Sequence, residues 1–275
     1  MTPTDLAASR APGKKAEWTH HFRSVVVLAA VSAAALAVAL SQRVAQDPAY
    51  HGFADRRALL GLPNALDVLS NLAFVCAGVF GLGVLAARRA VIVEARERRP
   101  WLVLFAAVVA TGVGSAYYHL DPTNQTLVWD RLPMAVAFTS LVAALVTDRV
   151  SVVVGARLLA PLVAAGVASV LYWSTTEARG VGDLRPYLLV QYGAMAAVPF
   201  LLVLYPGRYT RSGQWVVALL LYVASKLLEA SDARVLGVTG FVSGHTLKHL
   251  AAAAAVGWLA AMLMQRHVLT RSCHS

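Results

Sequence analysis

Three histidines, one aspartate and one serine stand on three apolar stretches of this chain, in spacings that suit one chemistry. Ser115 and His119 are four residues apart, as are His245 and His249, so each pair shares a helix face. Pro122 ends the first of these helices, and a short polar turn leads to Asp130, expected at the mouth of the next. Three imidazoles are donors that a catalytic zinc prefers, with a fourth position left to water. A helical histidine pair plus one histidine from another helix is a geometry such sites use. Bound zinc brings the pKa of its water to about 7 and polarises a carbonyl. Asp130 would accept the water's proton and return it to a leaving amine. Ser115 would donate a hydrogen bond to the oxyanion. The set fits metal-assisted hydrolysis of an amide.

Each residue also has a structural alternative. A serine in a membrane helix usually bonds its own i−4 carbonyl or packs on a neighbour. Asp130 can pair with Arg131 beside it, and an isolated histidine at a helix end is usually interfacial. A Ser115–His119–Asp130 triad would leave the second histidine pair without work, and Ser115 lacks a nucleophile elbow. Other polar residues are expected to support structure. Lys226 and Glu229 are three apart and are expected to pair. Lys248 does not share the His245–His249 face and is expected to extend outward along its stem. Asp67 and Ser70 share a face, and Asn71 is expected to bond across helices; all three are candidate supports of the site. His20, His21, His51, His267 and His274 read as solvent-facing.

The elements that must position these groups are membrane helices. The chain has 275 residues, 58% hydrophobic and only 14% charged, with a mean hydropathy of +0.62. Soluble proteins carry about 25% charged residues. A spanning helix needs about 20 apolar residues. Eight runs meet or approach that length, at 24–41, 67–87, 101–119, 131–147, 152–173, 186–205, 214–230 and 244–264. The expected fold is an all-α integral membrane protein with a seven-helix core (64–265) and one extra N-terminal transmembrane helix (24–41). Residues 1–23 and 266–275 are expected to be cytoplasmic tails. The first run follows a basic segment and contains Ala37-Val38-Ala39, which resembles a signal-peptidase site. Its apolar length exceeds the usual 7–15 residues, so an uncleaved helix is expected. No connection is long enough for a soluble domain, and no broken helix or repeated half suggests a transporter.

The formal charge of +10 does not point to nucleic acid, because no basic, aromatic-interleaved domain lies outside the membrane runs. Lysine and arginine accumulate in cytoplasmic loops. With the N-terminus inside, the inner segments hold fifteen: Arg10, Lys14, Lys15, Arg23, the five arginines of 88–99, Arg149, Arg157, Arg208, Arg211, Arg266 and Arg271. The outer segments hold seven: Arg43, Arg56, Arg57, Arg131, Arg179, Arg185 and Arg234. Both termini are therefore expected in the cytoplasm. Ser115, His119, Asp130, His245, His249, Asp67, Ser70 and Asn71 then all fall in the outer half. Cys76 lies within a helix and Cys273 in the tail, so no disulfide framework is expected.

These motifs resemble the alkaline ceramidase family, part of a superfamily of seven-helix membrane hydrolases that includes the progestin/adipoQ receptors. The resemblance rests on Ser70-Asn71, Ser115-x-x-x-His119, Asp130-x-Leu132-Pro133-Met134 and His245-x-x-x-His249, and covers roughly 64–265. It implies zinc held by His119, His245 and His249, with Asp130 working on water and Ser115 assisting the carbonyl oxygen. It also implies a ceramide-like N-acyl lipid substrate drawn from the bilayer, and a site on the external side. There are departures. The eukaryotic ceramidases carry an acidic calcium-binding segment before the first core helix. Here only Asp47 and Asp55 are present, with Asn64 where an acid would be expected, which argues against calcium. The second cluster reads His245-Thr246-Leu247-Lys248-His249, where ceramidases tend to have tryptophan between the histidines, so the substrate is open to revision. The alanine-, valine- and arginine-heavy composition points to a bacterial genome, and hence to the bacterial inner membrane. A second reading is non-enzymatic: a receptor-like or scaffold protein that keeps zinc as a structural staple.

The charge count has a direct test. Reporter fusions after Arg96 and at the C-terminus should both report the cytoplasm, and an external C-terminus would refute the eight-span topology.

Overall fold

A computed structural model describes residues 14–269. The expectations for Arg10, Cys273 and His274, and for most of the two tails, lie outside the described residues. The chain forms two compact units, divided after Ser41. The first contains one helix, α1 (Lys14–Leu40). It begins ten residues before the expected 24, so the stretch 14–23 is helical and His21 lies on an exposed turn of it.

The second unit is built from α2 (Ala65–Ser70), α3 (Leu72–Ala86), α4 (Arg98–Leu120), α5 (Asn124–Arg149), α6 (Val152–Ala178), α7 (Arg185–Leu204), α8 (Gly213–Ala230), α9 (Asp232–Thr239) and α10 (Gly244–Gln265). Taking α2 and α3 as one span, eight helical segments among the described residues are long and apolar enough to cross a membrane. Together they make an all-α, multi-pass architecture. A helix satisfies every backbone group within itself, which hydrocarbon demands. The seven spans of the second unit close a ring: α3 packs on α4, α4 on α5, α5 on α6 and α7, α7 on α8, α8 on α10, and α10 on α3.

The differences from expectation have local causes. Helix α5 begins at Asn124 rather than 131, because Thr123 caps it and exchanges hydrogen bonds with Thr126. Asp130 therefore sits in the second turn, inside the helix rather than at its mouth. The first core span is interrupted at Asn71, where an unbroken helix was expected. The Ser70 hydroxyl and the Asn71 amide both donate to the Asp67 carbonyl, at 3.0 and 2.8 Å, and such side chains compete with the backbone ladder. Asn71 keeps φ −66° and ψ −18°, so the chain stays helical and does not unwind. Asn71 thus bonds within its own helix and not across helices. A short helix, α9, follows α8 and stops at Gly240, whose φ of 73° suits glycine.

Helices α4 and α5 approach most closely at Gly114. A Cβ there would overlap the Trp129 carbonyl oxygen. Pro133, inside α5, lacks the N–H that would otherwise bond this carbonyl four residues back. The glycine and the proline therefore complement each other, and their contact sets Ser115 beside Asp130.

The ends of the helices remote from Ser115 and His119 hold a second polar network. Arg266 is buried, donates to the Val91 carbonyl at 2.9 Å and to Asp148 at 3.2 Å, and lies 3.8 Å over the Tyr209 ring. Tyr209 donates to Glu97 at 2.6 Å, and burial, with Glu97 second, pushes its phenol up to about 12. Arg208 also reaches Glu97.

Gly114→Val should lower the melting temperature in detergent, at a cost of about 1–3 kcal/mol or more for overpacking. Gly257→Ala meets open space and should be neutral or slightly stabilising. Equal stability of Gly114→Val and wild type would refute the close contact.

Candidate metal centre

Helix α4 carries His119 in its last turn, and α10 begins with Gly244-His245, so the two helices bring their polar ends together. Ser243 caps α10 through the Thr246 N–H at 3.1 Å. Asp232 accepts from the His245 N–H at 2.7 Å and from the Ala54 N–H at 2.9 Å. A Cβ at Gly244 would strike the Leu228 carbonyl, so only glycine lets α10 start this close to α8.

His119, His245 and His249 are all buried, and one nitrogen of each lies within 4.8 Å of the others. The group can hold a metal ion, and it is the only such group among the described residues. Its geometry fits a cation. The Nε2 atoms of His119 and His245 face each other at 3.3 Å, and paired lone pairs at that distance need a positive charge between them or a proton on one. His249 has an anchor of the kind metal-binding histidines use. Its Nδ1 lies 2.7 Å from the Ser70 hydroxyl, whose own proton is directed to the Asp67 carbonyl. That network assigns the proton of His249 to Nδ1 and leaves Nε2 as a lone pair. His119 has no such anchor: its Nδ1 is buried without a partner. Its ring packs instead on Phe53, 4.6 Å between centroids, and the same Phe53 lies 4.6 Å from His245.

The sequence-predicted residues fall into three groups. Ser115 shares the His119 face, and the Asp130 carboxylate lies near it across the α4–α5 contact. Asp130 does not pair with Arg131, which bonds Gln46 at 2.7 Å and lies over the rings of Tyr50, Trp173 and Tyr187. Ser70 touches a histidine directly. Asp67 acts one step out, accepting from Thr246 at 2.6 Å and tying the first core span to α10.

Two expectations are overturned. Lys248 does not extend outward. Its Nζ lies 2.9 Å from Glu229 and 3.1 Å from His245 Nε2, because the i,i+3 relation to His245 brings it around to the same opening. Lys226 pairs with the same Glu229, as expected. His51 is not solvent-facing. It bridges the Tyr118 hydroxyl and Asn124, each at 2.9 Å, because the loop before α2 folds across the site. That loop also supplies Phe53, which no spacing in the sequence singles out. Asp47 caps a 3-10 turn, Asn64 donates to the His119 carbonyl, and Asp55 pairs with Arg57. The Arg57 hydrogen bonds hold the Asp55 carboxyl below the usual carboxylate range.

His249→Ala should lose most of the metal measured by elemental analysis, because two histidines rarely hold a cation against buffer. Ser70→Ala should weaken metal affinity by about 10–100-fold, the usual cost of a lost outer partner. Full metal occupancy in a His245/His249 double alanine variant would refute this site. In comparisons with known proteins, no family model matches the chain and no curated protein matches it.

Proposed function

We propose that this chain is a membrane-embedded, zinc-dependent hydrolase of the alkaline ceramidase type. It would act on ceramide or a related N-acyl lipid and release a fatty acid. The observation that carries the reading is the convergence of His119, His245 and His249 on one buried point, with Ser115 and Asp130 near each other on the adjoining helices α4 and α5. The excess of arginine and lysine on one side supports cytoplasmic termini with the site towards the external leaflet, and the alanine-, valine- and arginine-heavy composition is what favours a bacterial inner membrane.

Zinc, when bound by the three histidines, supplies a Lewis acid for the carbonyl and makes water more acidic. The residues of the chain do the rest. Ser70 keeps His249 oriented with its lone pair inward. Asp130 takes a proton from the attacking water as the carbon–oxygen bond forms. Ser115 has one hydroxyl proton, which the Asp130 carboxylate can accept. Once Asp130 is protonated it becomes the donor, and the Ser115 proton is free to turn to the carbonyl oxygen as charge develops there. Asp130 then gives its proton to the amine as the carbon–nitrogen bond breaks, leaving a fatty acid and an amine. The loop that places Phe53 over two of the histidines limits water at the site.

The test is fatty-acid release from a panel of N-acyl lipids in liposomes, with zinc measured on the same samples. Asp130→Asn should slow release by about 10²–10⁴, and Ser115→Ala by about 10²–10³, both with zinc retained. A fully active Asp130→Asn would reject this proton path. A zinc-loaded wild type inert on every amide and ester lipid would favour the receptor-like or scaffold reading with a structural zinc.

A further inference from the structure

Lys248 stands between the two histidines of α10 in sequence, and its side chain is only 17% exposed, so its ammonium has limited access to water. Its Nζ has three donors. One goes to Glu229 at 2.9 Å and one to His245 Nε2 at 3.1 Å. Glu229 does not require this cation, because Lys226 already pairs with its other oxygen. Burying a charge costs several kcal/mol unless it is paired, and the positioning of Lys248 therefore asks for a purpose beyond neutralising Glu229.

The His245 Nε2 lone pair admits one partner at a time. Were His245 to give that lone pair to a metal, Lys248 would lose this acceptor while Glu229 still tethered its ammonium near the histidines. Two of the three Lys248 donors would then be open to a ligand at the site. A neutral carbonyl is a modest acceptor for such a group, whereas an anionic oxygen forms the stronger, charge-assisted bond. We infer that Lys248, tethered by Glu229, is an anion-binding residue of the metal centre that takes an anionic oxygen of the bound lipid: a fatty-acid carboxylate, or the oxyanion that precedes it.

This inference rests on the hydrolase reading for its choice of ligand, but its test needs no turnover. Zinc-loaded wild type, Lys248→Met and Lys248→Arg are titrated with palmitate in detergent by calorimetry, and their zinc affinities are measured by chelator competition. Methionine matches the length of the buried stem, and Lys226 remains to balance Glu229, so the variant is expected to fold. Lys248→Met should bind palmitate about 10–100-fold more weakly, the scale of one hydrogen bond to a charged group. It should bind zinc about tenfold or more tightly, because a nearby like charge and a competitor for His245 have both gone. Lys248→Arg should retain palmitate binding. Equal palmitate affinity in wild type and Lys248→Met would overturn the inference, as would weaker zinc binding in Lys248→Met. If the palmitate difference holds while wild type hydrolyses no lipid, the hydrolase reading fails and the anion site stands.

Discussion

The Trp129 carbonyl lacks its usual helical donor four residues on, and the site depends on that. Pro133 removes the N–H that would bond it, and Gly114 removes the side chain that would keep α4 away from it. The released carbonyl becomes the point where α4 and α5 touch, with room for a close Cα–H contact from the glycine. One residue further along each helix stand Ser115 and Asp130. One turn beyond Ser115 stands His119. A small shift of α4 along α5 would separate the serine from the carboxylate and move the histidine away from α10.

The rest of the unit repeats this logic with side chains. In hydrocarbon each polar group must find a partner inside the protein. Around the histidines the partners come from different helices. Ser70 of α2 meets His249 of α10, Asp67 meets Thr246, Asp232 of α9 meets the first turn of α10, and Glu229 of α8 meets Lys248. Each such bond contributes only about 0.5–1.5 kcal/mol net. Leaving one group unpaired costs more than its bond contributes, so the network specifies which helix ends can meet. Asp67 and Asn71 each keep one buried oxygen without a partner, and the region around the interruption at Asn71 is the least satisfied part of this network.

The opposite helix ends carry a network of a different kind. Glu97, Asp148, Arg208 and Arg266 bind one another largely through full charges, and the Tyr209 hydroxyl and ring join them. Several arginines that bias the charge count to this side are thus also structural. Arg266 is buried and Arg149 is paired with Asp148. The two ends of the bundle divide the work: one fastens the helices, and the other gathers three imidazoles, with the Lys248–Glu229 pair beside them.

Much of this was legible in the residues themselves. Runs of about 20 apolar residues become spanning helices because hydrocarbon accepts little else, and all eight appear among the described residues. The four-residue spacings of Ser115–His119 and His245–His249 put each pair on one helix face, because helical periodicity depends only on the local chain. What sequence spacing cannot carry is rotation and distance between helices. The start of α5 moved to Asn124 through a cap at Thr123, which drew Asp130 into the helix. His51 and Phe53 sit in a loop whose path is set by Asp232 and Arg57 bonds to distant segments. Lys248 seemed to belong to another face, yet a long side chain reaches wherever a buried carboxylate draws it, and that carboxylate is on α8. Local periodicity determined the helices and the faces. Packing between helices, through one glycine, one proline and a handful of buried hydrogen bonds, decided which of those faces met.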